Sequence, residues 1–83
     1  MKLYLIWQND NDGYDTYDSA VVVAESEEDA KTIHPYNKEP VTEIDGGYSS
    51  WTWTTINNVN VKYIGEAAEN QKRGVICASF NAG

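Results

Sequence analysis

Asp10-Asn11-Asp12-Gly13 is the densest grouping of oxygen ligands in this 83-residue chain, and calcium is the chemistry such a grouping would serve. A twelve-residue calcium loop needs Asp at its first position, Gly at its sixth and a bidentate Glu at its twelfth. Setting Gly13 sixth places Gln8 first and Ser19 last, so both anchoring ligands are missing. Cys77 and His34 are the only Cys and His. A nucleophile pair would require them to meet in space with a third, orienting group. Cys77 lies in the apolar run Val75-Ile76-Cys77-Ala78, where Cys behaves as a small hydrophobe. His34 precedes Pro35 and reads as an exposed cap at a helix end. Zinc needs three or four ligands of these types, more than the chain supplies.

Carboxylates are plentiful, but they crowd a polar loop and a helix start, where water keeps them ionised. A general acid needs burial to raise its pKa. Gly46-Gly47 has no following Lys and no strand-loop-helix setting, so it makes no phosphate cradle. Lys72-Arg73 is the only adjacent basic pair and reads as part of a solvated turn. The sequence therefore predicts no catalytic residue, no metal and no cofactor. It predicts a binding domain and not an enzyme.

The charge distribution indicates where binding would occur. The net charge is −7, and residues 1–30 account for all of it: eight acids stand against Lys2 alone, while residues 31–83 hold five acids and five bases. Phosphate recognition requires clustered Lys and Arg, so neither nucleic acid nor an anionic membrane is an expected ligand. A basic protein surface is, with an attraction that salt weakens. The candidate partner-binding residues are Asp10, Asp12, Tyr14, Asp15, Tyr17 and Asp18 in one loop, with Glu25, Glu27 and Glu28 one strand later. Tyrosine is enriched at interface hot spots, and spaced carboxylates can accept bidentate bonds from Arg. A hairpin return is expected to bring the second acidic group within a Debye length of the first.

The elements that would position these residues follow from periodicity. Residues 2–9 are apolar on both faces, which suits a central strand. Residues 9–18 form an Asn-, Asp- and Gly-rich loop, and Ser19 to Ala24 form the next strand, giving a hairpin with an acidic tip. Ser26 caps a short helix of about two turns over Glu27-Glu28-Asp29, with Ala30 and Ile33 facing the sheet, and Pro35 stops it. Residues 35–50 read as an irregular excursion. Trp51 to Ile56 has β character with both Trp on one face. Val59, Val61 and Tyr63 alternate as a half-buried strand, and Val75 to Phe80 closes the chain. The expected fold is α+β: one domain spanning 1–83, an antiparallel sheet of four or five strands with the helix on one face.

A chain this short buries only roughly 60% of its unfolded surface. Three Trp, six Tyr and one Phe partly offset that limit. Trp51 and Trp53 read as core; exposed, they would form an apolar contact patch. No stretch approaches the roughly 18 apolar residues of a membrane span, and a lone Cys allows no intrachain disulfide and gives no sign of an oxidising compartment, so the expected location is cytoplasmic. A monomer is expected over an oligomer.

The segments Met1-Lys2-Leu3-Tyr4-Leu5-Ile6, Gly13-Tyr14-Asp15-Thr16-Tyr17-Asp18-Ser19-Ala20-Val21-Val22, Ala24-Glu25-Ser26-Glu27-Glu28-Asp29-Ala30, His34-Pro35, Ile64-Gly65-Glu66-Ala67 and Gly74-Val75-Ile76-Cys77-Ala78-Ser79-Phe80-Asn81-Ala82-Gly83 resemble a group of small phage and prophage proteins. In character, though by no motif, the acidic chain also resembles anti-CRISPR inhibitors that imitate DNA. The resemblance implies a phage-encoded inhibitor acting in the host bacterial cytoplasm. Its target would be the basic, nucleic-acid-binding surface of a CRISPR-Cas or other defence complex, which it would block from binding DNA. The alternative is a structural or accessory phage protein that oligomerises through the Trp51/Trp53 face.

Overall fold

The computed structural model describes residues 1–9, 16–35, 53–54 and 56–81. Strand β1 (Lys2–Trp7) pairs antiparallel with β2 (Thr16–Ala24), in the register Tyr4 to Val22 and Ile6 to Ala20. Helix α1 (Glu27–Lys31) follows. A 3-10 turn at Ile56–Asn58 leads to β3 (Asn60–Glu66), and β4 (Gly74–Asn81) ends the described chain. The four strands form one sheet in the order β3-β1-β2-β4, every neighbouring pair antiparallel. This is the α+β architecture that the sequence predicts, with four strands among the described residues. The two most apolar strands, β1 and β2, take its centre.

Side chains alternate across a strand, so Tyr4, Ile6, Ala20, Val22 and Ala24 share one face. They form the core with Ala30, Ile33, Trp53 and Val59. Val23 points to the other face and is also fully buried. Helix α1 has only five residues, too few to persist without docking. Its ends are held locally. Ser26 Oγ accepts the Asp29 N–H at 3.1 Å, and Asp29 Oδ2 accepts the Glu25 N–H at 3.0 Å. Thr32 closes the other end, its hydroxyl donating to the Asp29 carbonyl at 2.6 Å. Ala30 and Ile33 are buried against the sheet, as their spacing predicts.

The structure corrects the sequence reading at four places. Thr16, Tyr17 and Asp18, read as part of the loop, already belong to β2, where they pair with β4 or bulge beside it. Trp53 and Thr54 are not in a strand, and Ile56 opens the 3-10 turn, so the strand expected over Trp51–Ile56 does not form there. Trp53 is instead fully buried among Tyr4, Ile6 and Val59. Sinking one large ring governs this stretch more than the ladder its β-prone residues could have made. His34 is buried at 6% exposure, its ring edge-on to Tyr17 at 6.2 Å, and is not an exposed cap. Cys77 is exposed on β4, because β4 lies at the sheet margin and Cys77, paired with Val21, sits on the face opposite the core residues Ala20 and Val22.

From β3 at one margin to β4 at the other, residues 67–73 cross the end of the sheet where Met1 and Ala24 lie. Ala67 donates its N–H to the Met1 carbonyl at 3.1 Å along the way. Gly74 enters β4 at φ 141°, a backbone region essentially reserved for glycine.

Candidate partner-binding surface

Of the nine candidate binding residues, the structure places Tyr17, Asp18, Glu25, Glu27 and Glu28; Asp10, Asp12, Tyr14 and Asp15 lie outside the described residues. Asp18 is exposed near the hairpin end of β2, where the β2–β4 register shifts between Tyr17 and Ser19. Gln8 fastens this corner. Its backbone N–H donates to the Asp18 carbonyl at 3.3 Å, and its side-chain amide donates to the Tyr17 carbonyl at 2.9 Å. Tyr17 is half-buried, packed between Phe80 (ring centroids 4.7 Å apart) and His34. It therefore serves the scaffold, and the carboxylate of Asp18 is what this corner presents to solvent.

Glu25, Glu27 and Glu28 are exposed at the opposite end of β2. Six steps of extended chain separate Asp18 from Ala24, about 20 Å at the rise of a strand. That is more than twice the Debye length of roughly 8 Å at physiological ionic strength. For Asp18 the hairpin return does not bring it within a Debye length of Glu25, Glu27 and Glu28, because β2 itself holds them apart.

The Glu25 end contains residues that sequence spacing did not single out. Strand pairing sets Lys2 beside Ala24 on one side and Glu66 on the other. An open depression of about 340 Å³ there is lined by Met1, Lys2, Glu25 and Glu66. Glu66 accepts the Tyr63 hydroxyl at 2.6 Å, and that bond pushes the Tyr63 phenol above its ordinary 10.0. The crossing segment also delivers Arg73 to α1. Its Nε and Nη2 bond both oxygens of Asp29 at 2.8–3.1 Å, and Nη2 reaches the Thr32 hydroxyl at 2.9 Å. The Arg73 hydrogen bonds hold the Asp29 carboxyl below its usual 3.8, against an opposing push from partial burial. Asp29 is thus committed to the fold, while Glu27 and Glu28 in the same first turn take part in no ion pair among the described residues. Only the strand ladder, which pairs Lys2 with Glu66 and Val23 with Gly74 across more than fifty positions each, brings Glu66 and Arg73 here.

Among the described residues, no three His, Cys, Asp or Glu side chains come together to hold a metal ion. No helix there is long and apolar enough to cross a membrane. Trp53 is in the core, as the sequence reading has it, so it contributes nothing to the aromatic face of the alternative reading; Trp51 lies outside the described residues. No protein-family model matches the chain, and neither does any curated protein or solved structure.

Proposed function

We propose that this chain is a phage-encoded inhibitor of the anti-CRISPR type. It binds a basic, nucleic-acid-binding surface of a host defence complex and keeps target DNA from it. The supporting observation is the set of exposed carboxylates of Asp18, Glu25, Glu27 and Glu28, which take part in no ion pair among the described residues, in a chain whose first thirty residues hold the whole net charge. Carboxylates on a rigid sheet can take the place of phosphates, and their binding releases the counterions that DNA would have released.

The 20 Å between Asp18 and the Glu25 end makes this a reading with two contacts. At about 3.4 Å per phosphate step along one strand, the two ends span roughly six nucleotides of the displaced DNA. The experiment is a salt-titrated pull-down from a bacterial lysate containing defence complexes. Capture of a basic DNA-binding subunit, released by rising salt and competed by DNA, supports the reading. Equal capture by a folded Glu25→Lys, Glu27→Lys, Glu28→Lys variant and by a folded Asp12→Lys, Asp15→Lys, Asp18→Lys variant removes its basis.

A further inference from the structure

The two margins of the sheet are built differently. At one margin, β3 carries Lys62 and Glu66, and its pairing with β1 slips between Leu3 and Tyr4. Charge and irregular register are the usual means by which an edge strand is kept from pairing with another chain. At the other margin β4 spans eight residues, Gly-Val-Ile-Cys-Ala-Ser-Phe-Asn, with no charge and no proline. Among the described residues its ladder bonds run only to β2. Ile76 and Phe80 are 47% and 46% exposed, large apolar side chains that a monomer leaves in water. One register slip interrupts β4 at Ile76, and from Cys77 to Asn81 its own run is unbroken.

We propose that β4 is a dimerisation edge, at which a second copy of this chain adds antiparallel and extends the sheet to eight strands. Charge permits a second copy as the occupant, and the strand's own pattern selects it. Two chains of net charge −7 repel wherever their acids meet, and β4 is a strand of the sheet that brings no charged residue of its own to the seam. The strand is also self-complementary. With the two-fold axis at Ala78, Ile76 lies across from Phe80 of the copy, Cys77 across from its Ser79, and Ala78 meets Ala78. Each large exposed side chain then has a large apolar neighbour, and the smallest side chains of the pairing sit on the axis.

Sedimentation equilibrium from roughly 1 μM to 1 mM covers the range from tight to weak association. The expected particle has twice the 9.3 kDa chain mass. Rising salt should strengthen it, since screening relieves repulsion between like-charged copies, whereas capture of a basic partner weakens with salt. The variant Ile76→Lys with Phe80→Lys sets introduced lysines opposite each other and should weaken dimerisation at least tenfold. Ile76→Lys with Phe80→Glu sets opposite charges across the same seam and should restore it. Both positions are half-exposed, and circular dichroism checks that the variants fold. Independently of any variant, amide exchange in β4 should slow as the wild-type concentration rises. A wild-type chain that stays at 9.3 kDa over the whole range, or a double-lysine variant that dimerises undiminished, overturns the proposal. A lysine/glutamate variant that stays monomeric overturns the Ala78 register.

Discussion

Arg73 and Asp29, 44 positions apart, are joined by a two-pronged ion pair that locks the entrance of β4 to the first turn of α1. Asp29 also caps the Glu25 N–H, so one carboxylate holds three pieces of chain: the end of β2, the helix and the crossing segment.

Arg73→Ala should cost about 0.2–1 kcal/mol, the range for an exposed pair, and lower Tm by several degrees. The sign of its pH dependence follows from Asp29, whose carboxyl in the fold titrates below 3.8. The stabilisation is complete above that value and fades as pH falls through the lower, folded one. Urea midpoints of wild type and Arg73→Ala should therefore differ by a constant amount at neutral pH and converge in strong acid. A gap that persists in strong acid contradicts this account.

Ser26→Ala removes the acceptor for the Asp29 N–H and should cost about 1 kcal/mol. A helix of five residues has little else of its own to hold it, so the loss should appear as faster amide exchange in residues 27–31 before the sheet yields.

Trp53→Ala should be far more damaging. Emptying the site of a fully buried Trp costs about 3–5 kcal/mol, against a total of roughly 4–12 kcal/mol for a chain of this length. Urea denaturation followed by circular dichroism should find the free energy of unfolding lowered by about that amount. Cys77→Ser, at an exposed position, should change stability by less than about 0.5 kcal/mol. In the native wild type Cys77 should react fully with a thiol reagent.

Tyr63 offers a second titration. Glu66 accepts its hydroxyl, so Glu66→Gln should bring the raised phenol back toward 10.0, as read by carbon NMR of labelled tyrosine. The hydrogen bond contributes stability below 10.0 that is lost as pH rises through the higher folded value. An unmoved Tyr63 titration would show that the bond is absent in solution.

Much of the scaffold was legible because it depends on local rules. Ser26 followed by Asp29 specifies a cap, Ala30 and Ile33 specify an inward face, and apolar β1 and β2 specify central strands. What stayed hidden depends on long-range pairing. The burial of His34 requires knowing that Tyr17 lies beside it, and the exposure of Cys77 requires knowing that β4 ends the sheet. The candidate surface was legible as a count of acids along the first third of the chain. The distance of Asp18 from the Glu25 end was not, because separation in sequence does not reveal that β2 runs extended between them.

The unequal margins of the sheet also bear on how far assembly can proceed. A strand edge is a template, and a sheet with two open edges can keep recruiting copies into a fibre. Here the β3 margin carries Lys62 and Glu66, while β4 is uncharged. Joining two copies through β4 uses up the open edge of both and leaves a β3 margin on each outer side. Growth then terminates itself at two, so a long uncharged strand can stand at the surface without making the chain a seed for aggregation.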